Sequence, residues 1–317
     1  MAERFLWLSK LKGSQLKFLA TRIGTNSSGT KAVLIKDIQA RILNDVHNQE
    51  SNSGGKRSGA KPTSRGSIIS VDMGVKNLAY CQLLPTSNRS DAKPILAQWK
   101  RLDVFKRDDD GRALPVKDEE NSQLKVAYEP SIFASAAHRI ASTFVQLDPA
   151  AHIFIERQRF RSMGAASVLE WTIKVNMLEG MLYAVLATLS EEVKWEGIVE
   201  GVRPERVSTF WLGQGSSRDA VGGRRSKDVK MQKKKDTISM VQRWLAEGGV
   251  RTKDQGAETA EKYLTRLRER GRRDDFDKLD DLADCLAQGM AIMKWRENSR
   301  ICWEKGEEAL AALEKEV

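Results

Sequence analysis

Cysteine and histidine are both scarce in this chain, three of each among 317 residues. Cys81, Cys285 and Cys302 lie far apart, form no CxxC pair and have no histidine beside them. That excludes a disulfide framework and a zinc site of ordinary ligand spacing, and it fits a reducing compartment. His47, His138 and His152 are too few and too dispersed for histidine-based metal chemistry. Long apolar runs are missing as well. No stretch of roughly 18 apolar residues is available to span a membrane, and the mean hydropathy is −0.48. Acid is the scarcer sign of charge: 43 Asp and Glu stand against 53 Lys and Arg, a formal net charge of +10. A basic chain of this kind points to a polyanion partner, nucleic acid first of all. A targeting signal is faint. Residues 1–10 carry Arg4 and Lys10 but lack the length of a signal peptide and the Ser/Arg richness of a transit peptide.

What is present is enough for a sizeable core. Hydrophobic residues make up 40% of the chain, and its length fits one large or two unequal domains. The clearest boundary is residues 51–66, SNSGGKRSGAKPTSRG, with four basic residues and no acid. Such a segment buries too little apolar surface to order itself and reads as a flexible basic linker. The expected division is therefore a helical head over 1–50, the linker, and a body over 67–317. In the head, Leu16, Phe18, Leu19 and Ile23 line one helical face, Gly24 ends that helix, and Leu34, Ile35, Ile38 and Ile42 line a second. Lys17, Arg22 and Lys31 are expected outside. The body opens with two β-rich runs around a Gly/Asn turn, a hairpin, and residues 95–105 supply a third strand. Helices are expected over about 131–147, 165–189, 226–246 and 275–296, and strands over 152–156 and 198–202. Strands followed by alternating helices and strands make an α/β body with a mixed sheet flanked by helices.

Within this body the acids sit where acids are costly. Asp72 ends the run IISVD and Glu156 ends HIFIE, each a lone carboxylate after a buried strand. Asp280, Asp281 and Asp284 lie on the last core helix, and spacings of three and four put Asp284 on the face of both others. Each has an ordinary explanation taken alone. Asp72 could cap a turn, Glu156 could pair with Arg157 or Arg159, and the aspartates could favour a helix dipole. Together, acids at two strand ends and a helical DDxxD form an all-oxygen site suited to Mg2+ or Mn2+. Phosphodiester hydrolysis uses such sites with two ions.

Residues 70–79 (SVDMGVKNLA), 153–161 (IFIERQRFR) and 278–286 (KLDDLADCL) resemble the three acidic motifs of the RuvC group of the RNase H-like superfamily. Within it, the ERQRFR run and the head are most similar to fungal mitochondrial Holliday-junction resolvases. The head itself resembles the SAP module, a small helical DNA-binding unit, at Leu16, Lys17, Leu19, Gly24, Ser28, Gly29, Thr30, Lys31 and Leu34. The resemblance implies an RNase H-like fold, with Asp72, Glu156 and Asp284 as metal ligands and either Asp280 or Asp281 as the fourth. It implies a mitochondrial, Mg2+-dependent endonuclease with two ions per site, cutting four-way DNA junctions to leave 3′-hydroxyl and 5′-phosphate ends. No small-molecule cofactor and no membrane are expected. Two other readings stand beside it: a different RNase H-like nuclease, such as an RNA–DNA hybrid hydrolase, and a non-catalytic DNA-binding scaffold.

Two basic segments are candidates for DNA contact. Arg157, Arg159 and Arg161 follow Glu156, with Phe160 and Met163 among them as residues that could stack on bases or wedge a branch point. Residues 222–235 carry seven basic residues and one acid, Lys233, Lys234 and Lys235 among them, and read as a phosphate-tracking arm. The helix over 165–189 is apolar on more than one side, with Trp171, Ile173, Val175, Leu178 and Leu182. It either sits centrally in the core or buries one face in the sheet and another in a partner. A two-fold homodimer, which the resemblance also implies, would offer two sites to a near two-fold junction.

Overall fold

The structure, a computed structural model, describes residues 2–51, 66–84, 93–107, 113–115, 129–158, 170–192, 194–213, 226–268 and 279–315. The expected linker lies almost wholly outside the described residues. In chain order the helices are α1 (Leu6–Lys10), α2 (Gly13–Arg22), α3 (Lys31–Ser51), α4 (Pro130–Leu147), α5 (Glu170–Glu191), α6 (Pro204–Leu212), α7 (Ser226–Ala246), α8 (Asp254–Arg268), α9 (Asp280–Lys305) and α10 (Ala309–Glu314). The strands are β1 (Ile68–Asp72), β2 (Leu78–Leu84), β3 (Ile95–Arg107), β4 (Ala113–Pro115), β5 (His152–Glu156), β6 (Val199–Val202) and β7 (Arg251–Thr252). By compactness the chain divides into two units.

One unit comprises residues 66–203 and 231–289 and holds the sheet. Strand order is β4-β3-β2-β1-β5-β6, with β7 added beside β3. The hairpin read from the sequence is there, β1 against β2 antiparallel with Asp72 opposite Ala79. β5 then runs parallel to β1, Ser70 opposite Phe154 and Val71 opposite Ile155, and β6 runs parallel to β5. β1 is buried along its length up to Asp72 because it has a neighbour on each edge. That is why its residues form a nearly continuous apolar run and do not alternate. α4 starts with Pro130 at its first turn, where a missing N–H costs nothing. It buries Phe133, Ala136, Ala137, Ile140, Ala141 and Phe144 at helical spacing, with Phe144 edge-on to Tyr80 of β2. α5 buries Val175, Leu178, Leu182 and Leu186 in the same core. Its other side carries Trp171 and Ile173, 47% and 40% exposed. It is therefore a one-faced core helix, the second of the two arrangements its composition allowed as far as the sheet-facing side goes.

The other unit gathers the described residues among 1–65, 204–230 and 290–317. One break of this grouping, between residues 65 and 66, falls within the expected linker, but residues 204–230 and 290–317 join the first 65, for a physical reason. The apolar faces of α2 and α3 share a core with the C-terminal elements: Leu16, Leu19, Ile23, Leu34, Ile38 and Ile42 pack with Cys302, Ala309, Leu310 and Leu313. Gly24 has φ +70°, and a Cβ there would fall 2.1 Å from the Trp295 ring. Asn298 Nδ2 donates to Arg22 O at 2.6 Å and Ser299 Oγ to Asp45 Oδ2 at 2.6 Å. Arg22, expected outside, lies over the Phe210 ring, 4.8 Å from its centroid. α6, α8 and the short strands β4 and β7 have no counterpart in the sequence reading.

Candidate active site

Every acid singled out in the sequence falls in the sheet unit. Asp72 and Glu156 end the parallel neighbours β1 and β5, so both stand at the same end of the sheet. Asp280 and Asp281 occupy the first turn of α9, and Asp284 follows one turn on. That turn is fastened to the sheet by three contacts. Trp99 Nε1 donates to Leu282 O at 3.0 Å, and Cys81 Sγ to Cys285 O at 3.4 Å. Gln288 Nε2 donates to the backbones of both acid-bearing strands.

The five carboxyls share one electrostatic neighbourhood. Burial raises the Asp72 pKa well above its ordinary value, and Glu156, Asp284 and Asp281 raise it further. Burial together with Glu156, Asp280 and Asp281 pushes Asp284 up to about 8, against a small pull downward from Lys234. Like charges brought together in a poorly solvated site have this effect, and a divalent cation reverses it. Asp280 is buried, and its Oδ1 has no hydrogen-bond partner among the described residues. A donor set of carboxylate oxygens, one of them buried with its acceptor capacity unused, fits a hard divalent ion. Among the described residues no three such side chains are already closed into a finished cage.

Two cations border these acids, and a third follows Glu156 along the chain. Lys234 forms an ion pair with Asp280, so this member of the lysine cluster reaches the carboxylates, although its distance along the sequence makes it look remote from them. Arg101 on β3 has no signal in the sequence. Burial lowers its pKa, and Asp281 and Asp280 raise it back. Arg157 is exposed just beyond Glu156, and its N–H donates to Val202 O at 2.8 Å. The next residue is held from α5, where Glu179 Oε2 accepts the Gln158 N–H at 3.2 Å. Glu179, Arg101 and Gln288 are the site-bordering residues that the sequence does not reveal, because each meets its partners only through the fold. Lys17 and Lys31 are exposed on the helical unit, and Lys31 Nζ also donates to Ser9 O at 2.6 Å. Lys235 is exposed and Lys233 half-buried on α7. Arg159, Phe160, Arg161 and Met163 lie outside the described residues.

Comparison with known proteins bears on what such a site does. The family model described as mitochondrial resolvase Ydc2 / RNA splicing MRS1 matches residues 68–301, which includes all five acids. The mitochondrial cruciform cutting endonuclease 1 of Schizosaccharomyces pombe is 26% identical over 240 residues, covering 74% of this chain and 80% of that protein. The protein of the same name from Saccharomyces cerevisiae is 24% identical over 317 residues, covering 90% and 82%. The crystal structure of the yeast mitochondrial Holliday junction resolvase Ydc2 superimposes with a TM-score of 0.56 at 22% identity, covering 95% of this chain and 99% of that one. That likeness concerns the fold, and the mixed sheet flanked by helices agrees with it.

Proposed function

This chain belongs to the mitochondrial resolvase Ydc2 / RNA splicing MRS1 family, and on that premise we propose that it is a mitochondrial endonuclease that resolves four-way DNA junctions. One observation carries the reading. The family match spans five acids that the fold collects at the ends of β1 and β5 and the start of α9. A DNA-binding scaffold has no use for carboxyls that raise one another's pKa, because they repel phosphate.

The acids would hold divalent metal, Mg2+ with Mn2+ as a substitute, two ions per site. Asp72, Glu156 and Asp284 would be ligands, with Asp280 or Asp281 the fourth. When bound, the ions supply an activated water and charge stabilisation at the leaving oxygen. The chain's own part is to bury and orient the carboxylates, while Lys234 and Arg101 balance their charge from two sides. Lys234 then belongs to the cutting site, whereas Lys233 and Lys235, with Lys17 and Lys31, would neutralise phosphates along the arms. Arg157, Arg159 and Arg161 would aim one strand at the acids, with Phe160 and Met163 at the branch point. The α2–α3 pair would act as a SAP-like DNA-binding element, within a helical unit more extensive than residues 1–50. A two-fold dimer through the outer face of α5, where Trp171 and Ile173 are exposed, would pair two sites.

The test is a cleavage panel in Mg2+: four-way junction, RNA–DNA hybrid, plain duplex and structured RNA, side by side. Paired nicks confined to the junction support the reading. Preferential cutting of the hybrid would make this an RNA–DNA hybrid hydrolase, and binding with no cutting of any substrate would make it a scaffold.

A further inference from the structure

The acids oppose the arrangement that holds them. Asp72 and Glu156 end β1 and β5, and Asp280, Asp281 and Asp284 open α9, so ionising all of them together is unfavourable. Something must hold helix and strands in register while no cation is bound.

Gln288 is placed to do this. It stands four residues after Asp284, one turn along the same face of α9. It is 3% exposed, between Ala287 and Gly289, in a stretch of helix buried from Leu282 through Leu286 save for Asp284 itself. An amide buried there is costly unless its hydrogen bonds are made. Its Nε2 lies 3.0 Å from Ser70 Oγ, 3.3 Å from Val71 O and 3.2 Å from Phe154 O. Ser70 and Val71 immediately precede Asp72, and Phe154 stands two residues before Glu156. One side chain thus spans the gap from the helix to both acid-bearing strands. Gly289 sets the approach. A Cβ there would come within 2.9 Å of Leu83 Cδ1 and 3.2 Å of Ser70 Cβ. Glycine inside a helix costs about 1 kcal/mol relative to alanine, and here it lets the helix come close enough for the amide to reach the strand backbones. Trp99 and Cys81 tie the same stretch to β3 and β2, and Gln288 adds a hydrogen-bonded link to β5.

We propose that Gln288 is a positioning residue of the metal site, holding Asp284 and the Asp280/Asp281 pair opposite Asp72 and Glu156. The proposal rests on the metal-dependent nuclease reading above. Its consequence is specific: without the amide the fold survives, but the carboxyls meet an ion less well. Outer-sphere contacts made directly to a ligand are worth roughly 10- to 100-fold in metal affinity, and Gln288, which acts through the strand backbones beside the ligands, is expected at the low end.

The experiment is calorimetric titration of Mn2+ into the full-length wild-type chain and Gln288→Met, which keeps length and burial but has no hydrogen to donate. Circular dichroism and junction binding in EDTA are measured on the same preparations. The expected result is an affinity for Mn2+ at least about tenfold weaker, with helical content and metal-free junction binding unchanged and cleavage recovering at high Mn2+. An Mn2+ affinity within about twofold of wild type, well short of the outer-sphere range, would overturn the positioning role. Wild type that binds no Mn2+ would overturn the metal-site reading itself, a separate outcome. If Gln288→Met fails to fold, Gln288→Asn decides: it keeps the amide but is one methylene too short to reach both strand backbones, and an Mn2+ affinity within about twofold of wild type overturns the proposal.

Discussion

Asp284 illustrates the cost of this site at the scale of one residue. In an unfolded chain its pKa would be about 3.9, whereas burial and three carboxyl neighbours push it up to about 8 in the folded protein. Between those values the folded state holds a proton that the unfolded state has lost. The contribution of Asp284 to the stability of the metal-free protein should therefore be most favourable below about pH 4 and be lost progressively as pH rises to about 8. Asp72 contributes with the same sign. Chemical denaturation across that range in EDTA measures the slope, and saturating Mg2+ should flatten it, since the ion replaces the proton. Asp284→Asn removes the repulsion. It should raise metal-free stability by roughly 1–3 kcal/mol at about pH 7 while abolishing cleavage. A variant both less stable and inactive would show that Asp284 serves the core and not the chemistry. Lys234 makes a second case. Its ion pair with Asp280 predicts that Lys234→Ala slows junction cleavage more than it weakens junction binding, as single-turnover rates and gel shifts on one preparation would show.

At the scale of elements, the strands and the last helix were legible because their chemistry is local. Ile68–Asp72 and His152–Glu156 announce themselves as apolar runs closed by an acid, and α9 by apolar spacing around its aspartates. What was not legible depends on neighbours distant in sequence. Gln288 looks like one more helical residue until Ser70 and Phe154 are beside it, and Arg101 looks like any strand charge until Asp280 and Asp281 are near. The head reads as an appendage because a Gly/Ser-rich linker follows it, yet the turn at Gly24 closes on Trp295. A methyl group at that turn would meet the ring and require a left-handed backbone, so Gly24→Ala should cost roughly 2–4 kcal/mol. Thermal unfolding would register that as a lowered Tm. Removing residues 1–50 should likewise expose Leu310, Leu313 and Cys302 and destabilise the helical unit. A truncated chain with an unchanged melting transition would restore the head to an independent module.

For the whole molecule, the +10 net charge and the acid site make opposite demands, and DNA binding should divide accordingly. A lysine that neutralises one phosphate adds about 0.9 to the salt slope. Replacing Lys233 and Lys235 together should therefore lower the slope by roughly 2 on junction and duplex alike. If the outer face of α5 pairs two copies as proposed, Trp171→Lys, at an exposed position, should yield monomers in sedimentation and unpaired nicks in place of resolved products. The central claim is that the carboxyls at the ends of β1 and β5 and the start of α9 cut junction DNA. Its most direct measurement is single-turnover cleavage of a four-way junction in Mg2+ by wild type and by Asp72→Asn, with binding followed in parallel. The account predicts paired nicks from wild type, and from the variant undiminished binding with no cutting. Cleavage by Asp72→Asn near the wild-type rate would contradict it.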